Sequence, residues 1–491
     1  MNRILILIPP RHEGRWVSRE YKDGYYDLPH PPYLMLSVAA LLRREHPQVE
    51  LHFLDAQLEG LDIEGVRERV TALAPDLIVC SLGTISIRAD AACLELPFPT
   101  IGVMQAWLDK PEGIAKYDLK ALCYTDREME HTVAEAAREL FSTGRIEATR
   151  GLYLRRGPEV VFTGAREVDS LAELPRPLFE LADPRRYLDI QQAESGTSYA
   201  FLFTARGCPF GCTFCAPPGT GYRKVLYKGP EQVVDEIAFL RERFGLTRFY
   251  FMDDEFASDM ERAKEICRRL ISRAPGISFV VYNSVQLVDE ELMALLARAG
   301  CTLVRYGVET ADDAIQRATR KNLRREQIVR AFRLTREAGL LTDAFFMVGF
   351  PGETRATLAA NLRLIRDLSP DRVTLGILFP KPYSQMYYEL RAAGGLLTDD
   401  WSQLYPGRPC LKGEGCASPR EVVEAMRWLA RRADRFISFR DIFSGRTGRN
   451  LYSRVGRFLM TIEPLRRLAH SQGWLEALLR RPYRAPRKLE I

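Results

Sequence analysis

Three cysteines stand together in RGCPFGCTFCAPPG (206–219): Cys208, Cys212 and Cys215, separated by three and two residues. Thiolates at that spacing can converge on one inorganic centre. A tetrahedral zinc takes four protein ligands, and a four-cysteine set also fills every iron of a 4Fe-4S cluster. Three cysteines leave one iron open, a place for a substrate or cofactor to bind. Gly207 and Gly211 let the backbone turn tightly around such a core, and their amides can donate to its sulfurs. A zinc knuckle would want a fourth Cys or His close by, and cysteines that merely fill a core need no fixed spacing. The next cysteine, Cys267, lies about fifty residues on in a helical stretch, so an iron–sulfur cluster is the favoured reading.

The elements that must carry this segment are legible as a strand–helix alternation. YAFLFTA (199–205) precedes the cysteines, followed by TRFYFMD (247–253), ISFVVYN (277–283), TLVRYGVE (302–309), TDAFFMVGF (342–350) and DRVTLGIL (371–378). Helical stretches separate them, with a sixth expected over 384–393. Six such steps predict a partial (β/α)6, TIM-like barrel over 196–394, with its ligand at the carboxyl ends of the strands. The alternation of RILILI (3–8), VELHFLD (49–55), DLIVCSL (76–82), TIGVM (100–104) and ALCYT (121–125) with helices predicts a separate α/β, Rossmann-like (flavodoxin-like) domain over 1–150. A hairpin around Gly157-Pro158 and a Pro-rich linker are expected over 151–195, and a basic helical C-terminal region over 395–491.

The cysteine signature, with aromatic Phe214 before the last thiol, resembles that of the radical S-adenosylmethionine (SAM) superfamily over about 198–390. The resemblance implies a 4Fe-4S cluster on Cys208, Cys212 and Cys215, whose open iron binds SAM and splits it to methionine and a 5′-deoxyadenosyl radical. FMDDEFA (251–257) is similar to the segment that contacts the methionine end, which implies Asp253, Asp254 and Glu255 as partners of its ammonium. YGVET (306–310) resembles the motif whose acid reaches the ribose, here Glu309. MVGFPGET (347–354) resembles the turn that passes close to adenine, here Gly349, Pro351 and Gly352. On residues alone, Asp254 or Glu255 could cap the helix near 260, and GFPGET could be a plain strand-to-helix turn. Where relatives carry an arginine after the third strand this chain reads YNSVQL (282–287), which leaves Asn283 and Ser284 without an implied role.

PHPPYLMLSVAALLRRE (29–45) after the first strand resembles the cobalamin-binding domain of one subfamily. That subfamily includes methylases and cyclases acting on bacteriochlorophyll precursors, hopanoids, phosphinates and antibiotics. It implies cobalamin as a further candidate cofactor, and either methylation or a cobalamin-independent oxidation, cyclisation or rearrangement. The Asp-x-His-x-x-Gly motif is absent, so no histidine of that kind could ligate cobalt; bulky Met104, Gln105 and Trp107 stand where relatives show Gly-Gly-Pro-His. An RNA methylthiotransferase would need three more cluster cysteines, for which Cys80, Cys93 and Cys123 are the candidates; a non-catalytic iron–sulfur protein is the rival outside enzymes. Cys410 and Cys416 are too few for a second cluster and are expected to be free thiols.

With 491 residues, 46% of them apolar and 27% charged, the chain is a multi-domain globular protein and neither disordered nor fibrous. No apolar run reaches a membrane-spanning length and no secretory signal is evident, which predicts a cytoplasmic protein. Residues 419–491 carry 17 Lys and Arg against 7 Asp and Glu, a net +10, so the rest of a chain of net charge +6 sums to −4. Leu451, Val455, Phe458, Leu459, Ile462 and Leu465 form an apolar stripe beside Arg454, Arg457, Arg466 and Arg467, the pattern of a helix at a membrane surface or packed on the barrel. Basic and aromatic residues do not interleave, which argues against nucleic acid. The expected partners are a small hydrophobic substrate and an electron donor such as flavodoxin or ferredoxin.

Overall fold

A computed structural model describes residues 2–20, 24–26, 28–104, 110–157, 159–215, 224–382, 384–405, 407–413 and 415–436. Gln105, Trp107 and the apolar stripe at 451–465 lie outside the described residues.

Strands buried on both faces read as near-continuous apolar runs, as RILILI and LIVCSL do in the first sheet. Its strands are β1 (Arg3–Ile8), β2 (Glu50–Asp55), β3 (Leu77–Leu82), β4 (Thr100–Met104), β5 (Cys123–Thr125), β6 (Leu152–Arg156) and β7 (Glu159–Phe162), in the order β2-β1-β3-β4-β5-β6-β7. The first five are parallel; β6 and β7 are antiparallel additions. The hairpin expected to stand outside the domain is thus part of its sheet. The reason is β5, only three residues long, whose outer backbone groups would otherwise be an unpaired edge. Helices α1 (Tyr33–Glu45), α2 (Ile63–Leu73) and α3 (Met129–Thr143) cover this sheet. Part of the expected linker is also ordered as α4 (Arg185–Ser195), whose Tyr187 hydroxyl donates to Asp55 at 2.8 Å.

The second sheet is wholly parallel and runs in sequence order: β8 (Ala200–Leu202), β9 (Arg248–Phe251), β10 (Ser278–Asn283), β11 (Cys301–Glu309), β12 (Leu341–Val348) and β13 (Arg372–Ile377). Its first and last strands are not paired to each other, which makes it a partial barrel. The helices are α5 (Pro230–Phe244), α6 (Met260–Arg273), α7 (Glu290–Ala299), the short α8 (Asp313–Ala318), α9 (Arg325–Glu337), α10 (Arg355–Leu368), α11 (Gln385–Ala392) and α12 (Pro419–Ala433). Side chains alternate across each strand: Val304, Tyr306 and Val308 of β11 join the core under the helices, so Arg305, Gly307 and Glu309 occupy the inner face. No described helix is long and apolar enough to cross a membrane.

Buried polar contacts tie the two sheets together. The Tyr33 hydroxyl of α1 donates to Glu236 of α5 at 2.6 Å, and Lys228 Nζ reaches both Glu236, at 2.6 Å, and the Tyr33 oxygen. Arg206, the first residue of the cysteine segment, donates to Glu128 at 3.1 Å and to Glu130 at 2.8 Å, and all three side chains are buried. Burial pushes the Glu130 carboxyl up, but Arg206 and Ser37 more than offset it and hold it below its ordinary value. R206M would leave both carboxylates buried without their cation and should cost about 3–5 kcal/mol in urea unfolding. A depressed folded-state pKa gives stability that is complete above the unfolded-state value and lost as pH falls through the folded one. The wild-type advantage over R206M should therefore shrink on acidification below about pH 4.

Candidate functional site

The cysteine segment follows the first strand of the second sheet and is fixed by hydrogen bonds at its entry and in its middle. At its entry, Asp253 accepts from Thr204 N at 2.6 Å, from Ala205 N at 3.0 Å and from the Thr204 hydroxyl. In its middle, Thr213 N donates to Thr319 O at the end of α8, and Thr213 O accepts from Met386 N at the start of α11, both at 2.9 Å. Gly207 has φ 103°, a conformation that a side chain would resist. Cys212 is buried; Cys208 and Cys215 are partly so.

Two of the thiols act on a neighbour's ionisation, Cys215 on Cys208 and Cys212 on Cys215. Burial raises all three, with Asp254 adding to the rise at Cys208. Cys215 is pushed up to about 12 by burial, against the opposing cations Lys381 and Lys321. Among the described residues no group of three or more Cys, His, Asp or Glu side chains is gathered tightly enough for one metal ion.

Lys321 is the central cation. It lies 3.5 Å from Glu309 and near Cys212, Cys215 and Glu255; burial lowers its pKa, and these neighbours more than offset that and hold it above its ordinary value. Glu309 closes β11 with φ 68° at a register shift, and its carboxyl is pushed up by burial while Lys321 pulls it down. A Cβ at Gly307 would meet the ends of the Glu309 and Lys321 side chains, so any larger residue there would displace that pair. The sequence reading missed Lys321. It lies between α8 and α9 in TRKNLRRE (319–326), a run whose four basic residues look alike without the fold.

The three acids of FMDDEFA do different things. Asp253 is fully buried, with both carboxylate oxygens engaged by Thr204 and Ala205, so it holds the entry to the cysteine segment. The expectation that it meets the methionine ammonium gives way to this structural role. Glu255 accepts from Ser284 N at 2.9 Å, and burial pushes its carboxyl up to about 8. Asp254 acts electrostatically on both Cys208 and Cys215. Neither Asp254 nor Glu255 caps α6, whose cap is Asp259. Asn283, left without a role by the sequence, accepts from Ala257 N at 3.1 Å and donates to Leu287 O at 2.7 Å, which clamps two strand ends together.

Phe214 meets Phe350 edge-on at 6.1 Å. The turn after β12 has positive φ at both Gly349 (91°) and Gly352 (79°). Gly349 N donates to Glu353 at 2.7 Å and Gly352 N to Gly415 O at 2.7 Å; a Cβ at Gly349 would come within 3.2 Å of Val422 on α12. Cys410 is buried and Cys416 partly so, and neither forms a disulfide. Cys80 and Cys93 pack on one face of the first sheet and Cys123 on the other, so these three do not share a site.

Residues 202–365 match the family described as the radical SAM superfamily. The chain is 24% identical over 419 residues to an uncharacterised methyltransferase of Pyrococcus horikoshii, covering 84% of this chain and 88% of that one. It is 27% identical over 400 residues to an anaerobic magnesium-protoporphyrin IX monomethyl ester cyclase of Rubrivivax gelatinosus, covering 79% and 70%. Among solved structures, the radical SAM methyltransferase TsrM from Kitasatospora setae, with cobalamin and a 4Fe-4S cluster bound, has the same fold: TM-score 0.71, 20% identity, 96% of this chain and 100% of that one. The family match falls on the partial barrel and takes in the cysteines, Glu309 and the glycine turn: the chain carries a radical SAM domain and is a radical SAM enzyme, working with a 4Fe-4S cluster and S-adenosylmethionine.

Proposed function

We propose that Cys208, Cys212 and Cys215 hold the cluster, and that SAM lies across Asp254, Glu255, Glu309 and the 349–352 turn. The observation that carries this reading is the meeting of three thiols, Lys321 and Glu309 at the carboxyl ends of the barrel strands. When bound and reduced by one electron, SAM at the open iron supplies a 5′-deoxyadenosyl radical. Glu309 then accepts from the ribose hydroxyls, Asp254 faces the ammonium, and Lys321 balances the negative charge of thiolates and carboxylates. Glu255 acts mainly through Ser284, by positioning the third-strand turn. The buried thiols and acids keep water from the reacting atoms. The electron comes from a flavodoxin or ferredoxin, and the basic 419–491 segment is read as a contact with a membrane surface where a hydrophobic substrate resides.

We further read the first sheet as a cobalamin-binding domain and the net reaction as methylation of a small molecule at carbon. Ile8, Asp55 and Ser81, at the strand ends, line a small pocket together with Arg19 and His30. Gln191 fixes the state of that histidine. Its Oε1 accepts from Tyr199 N, so its Nε2 is the donor that reaches Pro29 O at 2.8 Å and His30 Nδ1 at 3.1 Å. The proton of neutral His30 is therefore on Nε2, which leaves no lone pair for cobalt. Burial lowers its pKa to about 3 and keeps it neutral. A corrin here would be held without a histidine ligand.

Replacing any one of the three cysteines with Ala should remove the brown chromophore and SAM cleavage together, read by anaerobic absorbance and 5′-deoxyadenosine release. E309Q keeps the shape but loses a charged acceptor; SAM binding should weaken by roughly 1–3 kcal/mol in calorimetry while the cluster absorbance stays. Supplied with hydroxocobalamin, the chain should retain corrin through gel filtration and show a base-off spectrum. Absence of uptake, with 5′-deoxyadenosine still formed, would leave oxidation, cyclisation or rearrangement as the reaction class.

A further inference from the structure

The inner face of the barrel holds a polar tier that the cluster and SAM do not use. Arg305 lies on that face of β11, below Gly307 and Glu309. Its Nε donates to Asp343 at 3.1 Å and its Nη1 to the Tyr282 hydroxyl at 2.7 Å. Thr374 donates to Asp343 at 3.0 Å, which fixes the carboxylate and so the plane of the guanidinium. The rings of Tyr250, Tyr282 and Phe345 stand 5.9, 5.2 and 5.2 Å from the guanidinium carbon. Val280, Leu303 and Leu341 close the inner face on the far side. Nη2 has no hydrogen-bond partner among the described residues, and the side chain is 19% exposed.

A guanidinium with one edge neutralised and the other open, walled by rings, is a receptor for an oxyanion on a flat apolar body. Glu309 lies four residues along the same strand, roughly 13 Å at about 3.3 Å per residue, a separation that matches the length of a small planar molecule. We propose that Arg305 anchors an acidic group, carboxylate or phosphate, of the substrate. The planar body lies among Tyr250, Tyr282 and Phe345, and its reacting end points toward Glu309. This rests on the reading that SAM lies beside Glu309.

The test is calorimetry on the anaerobically reconstituted full chain with 1-naphthoate, 1-naphthyl phosphate and the neutral methyl 1-naphthoate. At least one acid should bind tenfold or more tighter than the ester, and which one separates carboxylate from phosphate. R305M should abolish that preference. Because R305M leaves Asp343 buried without its cation, R305M/D343N, which removes both charges, is measured beside it and should lose the preference too. Equal binding of ester and acids, no binding of either acid, or a preference kept in the double variant would overturn the anchor, the wild-type comparison deciding even if neither variant folds. Iron content and SAM titration on the wild-type samples separate the two readings: their failure with the acid preference intact sinks the cofactor assignment and not the anchor.

Discussion

A continuous chain of buried polar bonds governs where everything else sits. Asp253 fixes Thr204 and Ala205; Arg262 donates to Thr204 O at 2.5 Å and Lys228 O at 2.9 Å; Lys228 then meets Glu236 and Tyr33. Its members are buried, so each must find its partner or incur the cost of desolvation. Partners on two sheets can be satisfied only if the sheets dock in one relation. The cysteine segment begins where that chain crosses from barrel to first sheet.

From that anchor the site follows by strand geometry. Residues two apart on β11 share the inner face, so Arg305, Gly307 and Glu309 rise in tiers toward the strand ends. The ends of the Glu309 and Lys321 side chains occupy the space beside Gly307. Each tier has its own chemistry: an apolar floor, an arginine held by aspartate and tyrosine, then the acid and lysine nearest the thiols.

The barrel strands were legible in the sequence because strands buried on both faces leave long apolar runs, and the cysteines because their spacing has little meaning in a plain core. Other features were not legible. The hairpin at 152–162 is half-buried and reads as a detached turn; only the short edge of β5 recruits it. Asp253, Asp254 and Glu255 are chemically near-equivalent in sequence, and only tertiary contacts show that Asp253 serves the backbone. Lys321 and the Arg305–Asp343 pair belong to different strands and loops, joined by register and not by spacing.

The contact of His30 on Phe201, with rings 3.8 Å apart, and of Tyr33 on Phe203 at 5.2 Å, has a consequence for evolution and engineering. These aromatic pairs cover β8, a three-residue strand that ends the barrel sheet with one unpaired side. A barrel excised from its amino-terminal partner would bare that edge and its phenyl rings at once, an invitation to strand-to-strand association. The two halves of this chain are therefore a poor substrate for domain shuffling. Recombination that exchanged one without the other would have to carry the Pro29–Tyr33 segment along with the barrel.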